Sequence, residues 1–341
     1  MSEFRNSLTD EEYWHFLISF GKNASTYKPV WGKVIADYGK TNSDKKIRLF
    51  ELSEKLFDYY DERTKINKMP QMGQRGKSTV MEQKLQEFRL GKINKEKAVK
   101  DVSDNVKIMV AQKFHTLNGL PIPRPFYDLS DDGNSIQFHN SLFNVFSDNQ
   151  NLHLYNDMDS RWDALEIGYA QMQKSFSIDI NLEKEGEEYI MNKEERKDLT
   201  PLRKSLSQYQ KNHCFYCGLE LQGKIHVDHV IPYQAIKHNQ IWNLVLSHAE
   251  CNENKLDNIP SMKFIQKLKV RNELMHRSDR FIKPLLEKDL GKTSQERMKT
   301  VDTQYSYAKR KIIRMWGGHE NYDPSQDEKW KKYVRVLNEI L

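Results

Sequence analysis

All three cysteines of this 341-residue chain fall between positions 214 and 251. Cys214-Phe215-Tyr216-Cys217 sets two thiols at CxxC spacing, and His248-Ala249-Glu250-Cys251 repeats the spacing with an imidazole in place of one thiol. Together they offer three sulfurs and one nitrogen, the closed tetrahedral set of a structural zinc site. Gly218, directly after the first pair, suits the tight turn that lets two thiolates face one ion. A redox-active CxxC and simple buried thiols are competing readings of the same residues, and His213 and His226 compete with His248 as the nitrogen ligand. In a small module with few core residues, zinc would act as a folding staple.

Between the two pairs lies Ile225-His226-Val227-Asp228-His229-Val230-Ile231-Pro232, an Asp-His pair inside a β-branched run that proline closes. Successive side chains on a strand point to opposite faces, so Asp228 and His229 reach one site only through a twist or a strand end. His226, two residues before Asp228, shares its face. A carboxylate is a hard oxygen ligand suited to magnesium. A neutral imidazole, with an ordinary pKa of about 6.5, can take a proton from water near neutral pH. Downstream, Asn243-Leu244-Val245-Leu246 reads as a second strand led by Asn, and Cys251-Asn252-Glu253-Asn254-Lys255 begins a helix. The order is strand, a loop of about ten residues, strand, helix. Asn252 offers a second oxygen ligand from that helix. Lys255, three residues on, shares its face and is placed either to hold a phosphate or to stand in solvent. His238, in the intervening loop, reads as exposed.

In order, VDHVIP, NLVL and CNENKLDNIP resemble the HNH endonucleases, whose fold is ββα-metal. Asn252 stands at the third polar position, giving an HNN form similar to the HNH domain of the RNA-guided CRISPR nuclease. The CFYCG element resembles the zinc-stapled branch of the family, where four cysteines are commoner, and His248 departs from that pattern. The resemblance covers roughly residues 208–262. It implies metal-dependent hydrolysis of a phosphodiester, a reaction that needs an activated water, a charge clamp on the phosphate and help for the leaving oxygen. It makes His229 the general base, Asp228 and Asn252 the holders of Mg2+ or Mn2+, and Asn243 the residue that orients the His229 ring.

Other elements must position these residues. Ser7-Leu8-Thr9-Asp10-Glu11-Glu12 opens like a helix, and Trp14, Phe16, Leu17 and Phe20 recur at helical spacing, predicting a helix over 7–22 with an apolar core stripe. Further helices are expected over 26–38 and 43–61, then, beyond an exposed linker at 67–78, over 79–91 and 95–115. Pro121, Pro123 and Pro125 mark a change of texture. Phe126–Leu129 and Ser135–Phe138 flank Asp131-Asp132-Gly133-Asn134, a β-hairpin signal within 124–140. Residues 157–175 return to helical spacing, and 179–198 form a connector rich in Glu and Lys. A last amphipathic helix is expected over 326–340, with Trp330, Tyr333, Val336, Leu337 and Ile340 on one face.

The net charge of +6 permits a polyanionic partner without requiring one. Charge is concentrated over 261–315, where 15 Lys and Arg face 6 Asp and Glu, a local excess of nine. Within it, Lys309, Arg310, Lys311 and Arg314 interleave with Tyr305 and Tyr307, a mix suited to nucleic-acid backbone, while Tyr305 and Trp316 are also core candidates. No apolar run approaches the ~20 residues that span a bilayer, and MSEFRNSLTDEEYW lacks the pattern of a secretory signal, so a cytoplasmic protein without membrane contact is expected. The fold class expected is mainly α with a small β component, multi-domain, containing a ββα-metal (HNH) nuclease module. Four segments are expected: a helical domain over 1–120, a β-hairpin plus helical connector over 121–199, the zinc-stapled module over 200–262 and a basic helical region over 263–341. The function expected is a DNA endonuclease acting on double-stranded DNA with structural Zn2+ and catalytic Mg2+ or Mn2+, in bacterial or phage-related restriction or anti-phage defence. One alternative is an effector subunit active only in a larger complex or after ligand activation. Another, a non-catalytic zinc-stapled nucleic-acid-binding protein, sits poorly with an intact Asp228-His229 pair. Double-strand cutting would favour a homodimer, and a separate protein partner stays open.

Overall fold

The computed structural model describes residues 8–146, 151–174, 206–278 and 281–340, apart from Lys22, Asn67, Arg75 and Asn118. The chain divides into two units, Met1–Ile178 and Asp179–Leu341.

In the first unit the Thr9 hydroxyl accepts the Glu12 amide while the Glu12 carboxylate accepts the Thr9 amide, so helix α1 (Asp10–Phe20) starts on a capping box. Trp14, Phe16, Leu17 and Phe20 are all buried, as the apolar stripe predicts. The Trp14 ring meets Phe114, Phe126 and Phe146 at centroid distances of 5.5, 5.0 and 4.6 Å, an aromatic core that ties distant segments to α1. The remaining elements are α2 (Tyr27–Thr41), β1 (Lys46–Arg48), α3 (Leu49–Ile66), α4 (Val80–Arg89), α5 (Lys95–Met109), β2 (Thr116–Leu117), β3 (Leu120–Pro121), β4 (Tyr127–Leu129), β5 (Ser135–Phe138), α6 (Asn140–Phe146) and α7 (Leu152–Lys174). The hairpin forms where its turn residues put it, with Gly133 at φ +66° in the turn and Tyr127 opposite Phe138.

Two expectations change here. The helix predicted over 43–61 begins only at Leu49, because Lys46–Arg48 instead pairs with the open edge of β5, Ile47 opposite Ile136. The boundary expected at 120/121 lies inside one unit, since β1 pairs with β5 and α7 packs on α1 and α2. The connector expected over 179–198 lies outside the described residues.

The second unit contains β6 (Ile225–His229), α8 (Tyr233–Ile236), β7 (Leu244–His248), α9 (Ala249–Lys255), β8 (Ile259–Pro260), α10 (Met262–Ser278), α11 (Ile282–Leu290), α12 (Ser294–Lys311), β9 (Met315–Trp316) and α13 (Glu328–Ile340). Strands β6 and β7 pair antiparallel from Ile225↔His248 to His229↔Leu244, and α9 packs across both, the ββα order read from the sequence. The boundary expected at 262/263 also falls inside a unit, because β8 pairs in parallel with β9, Ile259 opposite Met315. Phe264 of α10 stacks on Trp316 at 5.1 Å, and the ring of Tyr216 lies edge-on to Trp316 at 5.1 Å, so Trp316 is core. The fully buried guanidinium of Arg271 donates to Leu244 O and Trp242 O, each at 2.7 Å, fixing the entry to β7 against α10. Among the described residues no helix is long and apolar enough to cross a membrane.

Candidate active site and metal cluster

The ligand atoms of Cys214, Cys217, His248 and Cys251 all lie within 4.8 Å of one another. Cys217 Sγ and Cys251 Sγ stand 3.4 and 3.9 Å from His248 Nδ1. A tetrahedral zinc with ordinary Zn–S and Zn–N lengths separates such atoms by about 3.6 Å, so the set fits the ion. His248 Nε2 lies 3.0 Å from the Glu220 carbonyl, which can only accept. Nε2 therefore carries the proton and Nδ1 presents its lone pair to the thiols, the outer-shell arrangement that fixes a ligating imidazole. The thiols cannot share the space as three anions without a cation. A hydrogen bond from Cys217 holds Cys214 down to about 5, whereas the Cys214 contact drives Cys217 up and burial drives Cys251 up to about 12.

Gly218 sits at φ +69°, and a Cβ there would lie 2.3 Å from the Tyr322 ring, so both the turn and the packing require glycine. Neither competing nitrogen joins the cluster: His213 Nδ1 faces the Lys211 carbonyl, and His226 Nδ1 lies 3.2 Å from Asn252 Nδ2.

Asp228 and His229 are the last two residues of strand β6, and each has its own set of partners. Asp228 Oδ2 accepts from the Tyr216 hydroxyl and from Lys255 Nζ at 3.1 Å, leaving Oδ1 outside both contacts. The His229 ring packs on Tyr233 at a centroid distance of 5.4 Å, with Nε2 2.7 Å from Asn239 Oδ1. That oxygen accepts, so Nε2 carries the proton and Nδ1 holds the lone pair. Burial lowers the His229 pKa, against which the Asn239 bond and the nearby Asp228 charge work. Asn252, on α9, uses its amide nitrogen on His226, which shares a strand face with Asp228.

Three sequence-based placements need correction. Asn243 does not meet the His229 ring. Its buried amide donates to Ile231 O and accepts from Ile231 N, both at 2.8 Å, pinning the backbone two residues beyond His229. The ring's partner is Asn239, a loop residue with no periodic or spacing signal around it. Lys255 shares a face with Asn252 but is only 1% exposed, because its ammonium is drawn inward to Asp228 Oδ2, His229 O at 2.9 Å and Leu256 O at 3.3 Å. It is a buried counter-charge and is not set on the surface to hold a phosphate. His238 is half-buried beside Trp242 rather than exposed, and burial lowers its pKa to about 4.

Lys309, Arg310, Lys311 and Arg314 are all exposed at and just beyond the end of α12. Lys309 and Lys311 lie over the rings of Tyr305 and Tyr307 at 5.7 and 4.4 Å, and Lys311 Nζ reaches the Ala235 carbonyl of α8 at 3.4 Å. Tyr305 itself is core, its hydroxyl donating to Pro260 O at 2.8 Å.

A family profile described as HNH endonuclease matches residues 214–261. Neither a curated protein nor a solved structure matches the chain. The matched span begins at the first cysteine of the cluster and contains β6, β7, α9 and every residue placed around Asp228 and His229 except the surrounding helices' contributions. The chain thus carries an HNH endonuclease module at residues 214–261, with a Cys3His cluster that fits structural zinc, and a nucleic acid is the substrate such a module implies.

Proposed function

We propose that the protein is a metal-dependent endonuclease that hydrolyses phosphodiester bonds of double-stranded DNA, with His229 as general base. The observation that carries this reading is the state of His229. The ring is held through Nε2–H on Asn239 and kept neutral near pH 7 by burial, so Nδ1 is available to take a proton. Asp228 Oδ1 and the side-chain oxygen of Asn252 would hold Mg2+ or Mn2+, hard cations that favour such oxygens. The bound cation would neutralise charge at the scissile phosphate and the leaving oxygen. Water loses its proton to His229 Nδ1 as its oxygen bonds to phosphorus, and the bond from phosphorus to the leaving sugar oxygen breaks. Asn239 acts as a positioning residue, since it fixes which ring nitrogen is free.

Lys309, Arg310, Lys311 and Arg314 supply the surface charge for DNA backbone, by counterion release. The extension to restriction or anti-phage defence rests on the resemblance of the motif alone. One active site cuts one strand, so a double-strand break requires two copies or two successive events.

The test is a supercoiled-plasmid assay on the purified full chain with Mg2+, Mn2+ or EDTA, with zinc content measured in parallel. The expected outcome is metal-dependent nicking that His229→Ala abolishes while fold and zinc content stay unchanged. Undiminished nicking by His229→Ala would overturn the assignment. Cutting that appears only on addition of a cell extract would favour an effector that works inside a larger complex.

A further inference from the structure

Residues 309–316, Lys-Arg-Lys-Ile-Ile-Arg-Met-Trp, join the end of α12 to β9. Ile313 is 98% exposed and Met315 56% exposed. Single exposed apolar residues are ordinary on protein surfaces. Three features set this pair apart.

First, the backbone on either side is fixed. Ile312 N donates to Ala308 O at 2.9 Å, Arg314 O accepts from Ile259 N at 3.0 Å, and Trp316 O accepts from Ser261 N at 2.9 Å. Trp316 is anchored inward on Phe264, with its indole nitrogen 2.8 Å from Asn254 Oδ1. Ile313 and Met315 are therefore held out from a pinned segment. Second, four of the six residues 309–314 are exposed cations: Lys309, Arg310, Lys311 and Arg314. Third, the segment is tied to the catalytic frame. Asn254, which bonds Trp316, lies on α9 two residues from Asn252, and Lys311 touches Ala235 of α8, the short helix that follows β6.

We propose that Ile313 and Met315 form an apolar wedge that enters a base step of duplex DNA beside the scissile phosphate, while the four cations grip the flanking phosphates. This rests on the nuclease reading above. An apolar tip framed by cations suits a target whose outside is anionic and whose stacked bases are apolar, and proteins that kink duplexes insert Ile, Met, Leu or Phe in this way. A protein partner would have to be strongly acidic to accept the same frame. The wedge would also serve the chemistry, because a kinked duplex opens the backbone toward a cation held by residues 228 and 252.

The test uses the full chain carrying His229→Ala, so that bound DNA stays intact. The probe is a short duplex with 2-aminopurine at a flexible TA step and dyes at its ends. Binding is expected to raise the 2-aminopurine fluorescence and to shorten the end-to-end distance. Ile313→Ala/Met315→Ala is expected to lose both signals and about tenfold in affinity. Its salt dependence should be unchanged, because no phosphate contact is removed. Lys309→Ala/Arg310→Ala should do the reverse, flattening the salt dependence by about two units of slope while leaving unstacking at saturation. An Ile313→Ala/Met315→Ala protein that unstacks and bends the probe like its parent overturns the wedge. So does one whose only change is in oligomeric state, which would assign the pair to a protein contact. If the original chain neither binds nor nicks DNA, the nuclease reading fails along with the wedge. If it nicks plasmid but never unstacks the probe, the wedge alone fails.

Discussion

Replacing Lys255 with methionine separates two roles for one lysine. The side chain is sealed in, with its ammonium 3.1 Å from Asp228 Oδ2, 2.9 Å from His229 O and 3.3 Å from Leu256 O. At an effective dielectric of 20, a charge pair at that separation attracts by about 5 kcal/mol. Desolvating the two ions cancels much of this, so the pair adds little net stability while intact. Removing one member is another matter, since it strands a carboxylate and two carbonyls that lose their donor. The usual cost of about 3–5 kcal/mol applies, and its lower end is expected because the Tyr216 hydroxyl still serves Asp228 and that carboxylate keeps some solvent contact. Lys255→Met should therefore lower the urea stability of the zinc-loaded protein by about 3 kcal/mol, read from tryptophan fluorescence. Adding Asp228→Asn should recover part of the loss, because the stranded charge disappears, and the double-mutant cycle measures the coupling. Lys309→Ala, at an exposed cation, should leave the unfolding midpoint where it is and weaken DNA binding instead. If Lys255→Met unfolds like the parent protein and simply binds DNA less tightly in a salt-dependent way, the buried counter-charge is wrong and the lysine is a phosphate holder after all.

Plasmid nicking should rise from acid pH and level off by neutrality, because burial sets the His229 pKa below its usual 6.5 and the neutral ring is the active form. A plateau reached only well above pH 7 would contradict this. Gly218→Ala should destabilise the zinc-loaded protein by about 2 kcal/mol or more, through the strained positive φ and the Tyr322 ring in the way, with a lowered zinc content by metal analysis. The protein should also lose stability in acid through His115, whose pKa burial lowers to about 3 and whose Nε2 accepts the Phe126 amide at 3.0 Å. A depressed histidine keeps its contribution above pH ~6.5 and loses it as pH falls toward 3, so about 2 kcal/mol should be gone by pH 5, and His115→Gln should flatten that slope in urea titrations.

The metal cluster was legible because it depends on local spacing. Each half is an x2 pair, and a CxxC turn needs only its own backbone and Gly218 to converge. The sequence leaves the nitrogen ligand open among three histidines, and tertiary position separates them: His248 Nδ1 lies 3.4 and 3.9 Å from two of the sulfurs, while His213 and His226 face other partners. The ββα order was equally readable, since alternation in β6 and the helix start after β7 are local signals. What failed was depth and long-range pairing. Helical spacing put Lys255 on the right face but said nothing of how far inward Asp228 would draw it. Lys46–Arg48 is too short a strand to show alternation, and only the distant edge of β5 makes it one. The pairing of Ile259 with Met315 joins segments whose sequences carry no shared signal, so the module and the basic helices read as separate domains. Asn239 lay in a loop, where position is decided by tertiary contact and composition gives no hint.

The helices beyond the matched span complete the module. The match stops at residue 261, yet the groups that close the module lie after it. Arg271 and Asn272 supply donors to Trp242 O, and Arg271 to Leu244 O. Lys267 donates to Phe215 O at 2.9 Å inside the CxxC turn, and Phe264 covers both Tyr216 and Trp316. Burial lowers the Lys267 and Arg271 pKa values to about 8 and about 9, a strain accepted only because each cation satisfies carbonyls that water cannot reach. A span cut at 261 would leave those carbonyls without donors and the aromatic face of Tyr216 in solvent. Tyr216 in turn holds Asp228. The basic helical region therefore touches the elements around the candidate site twice, by its buried face through Phe264, Tyr216 and Asp228, and by its exposed end through Lys311 on Ala235 of α8. The charge excess over 261–315 bears only on the second of these contacts.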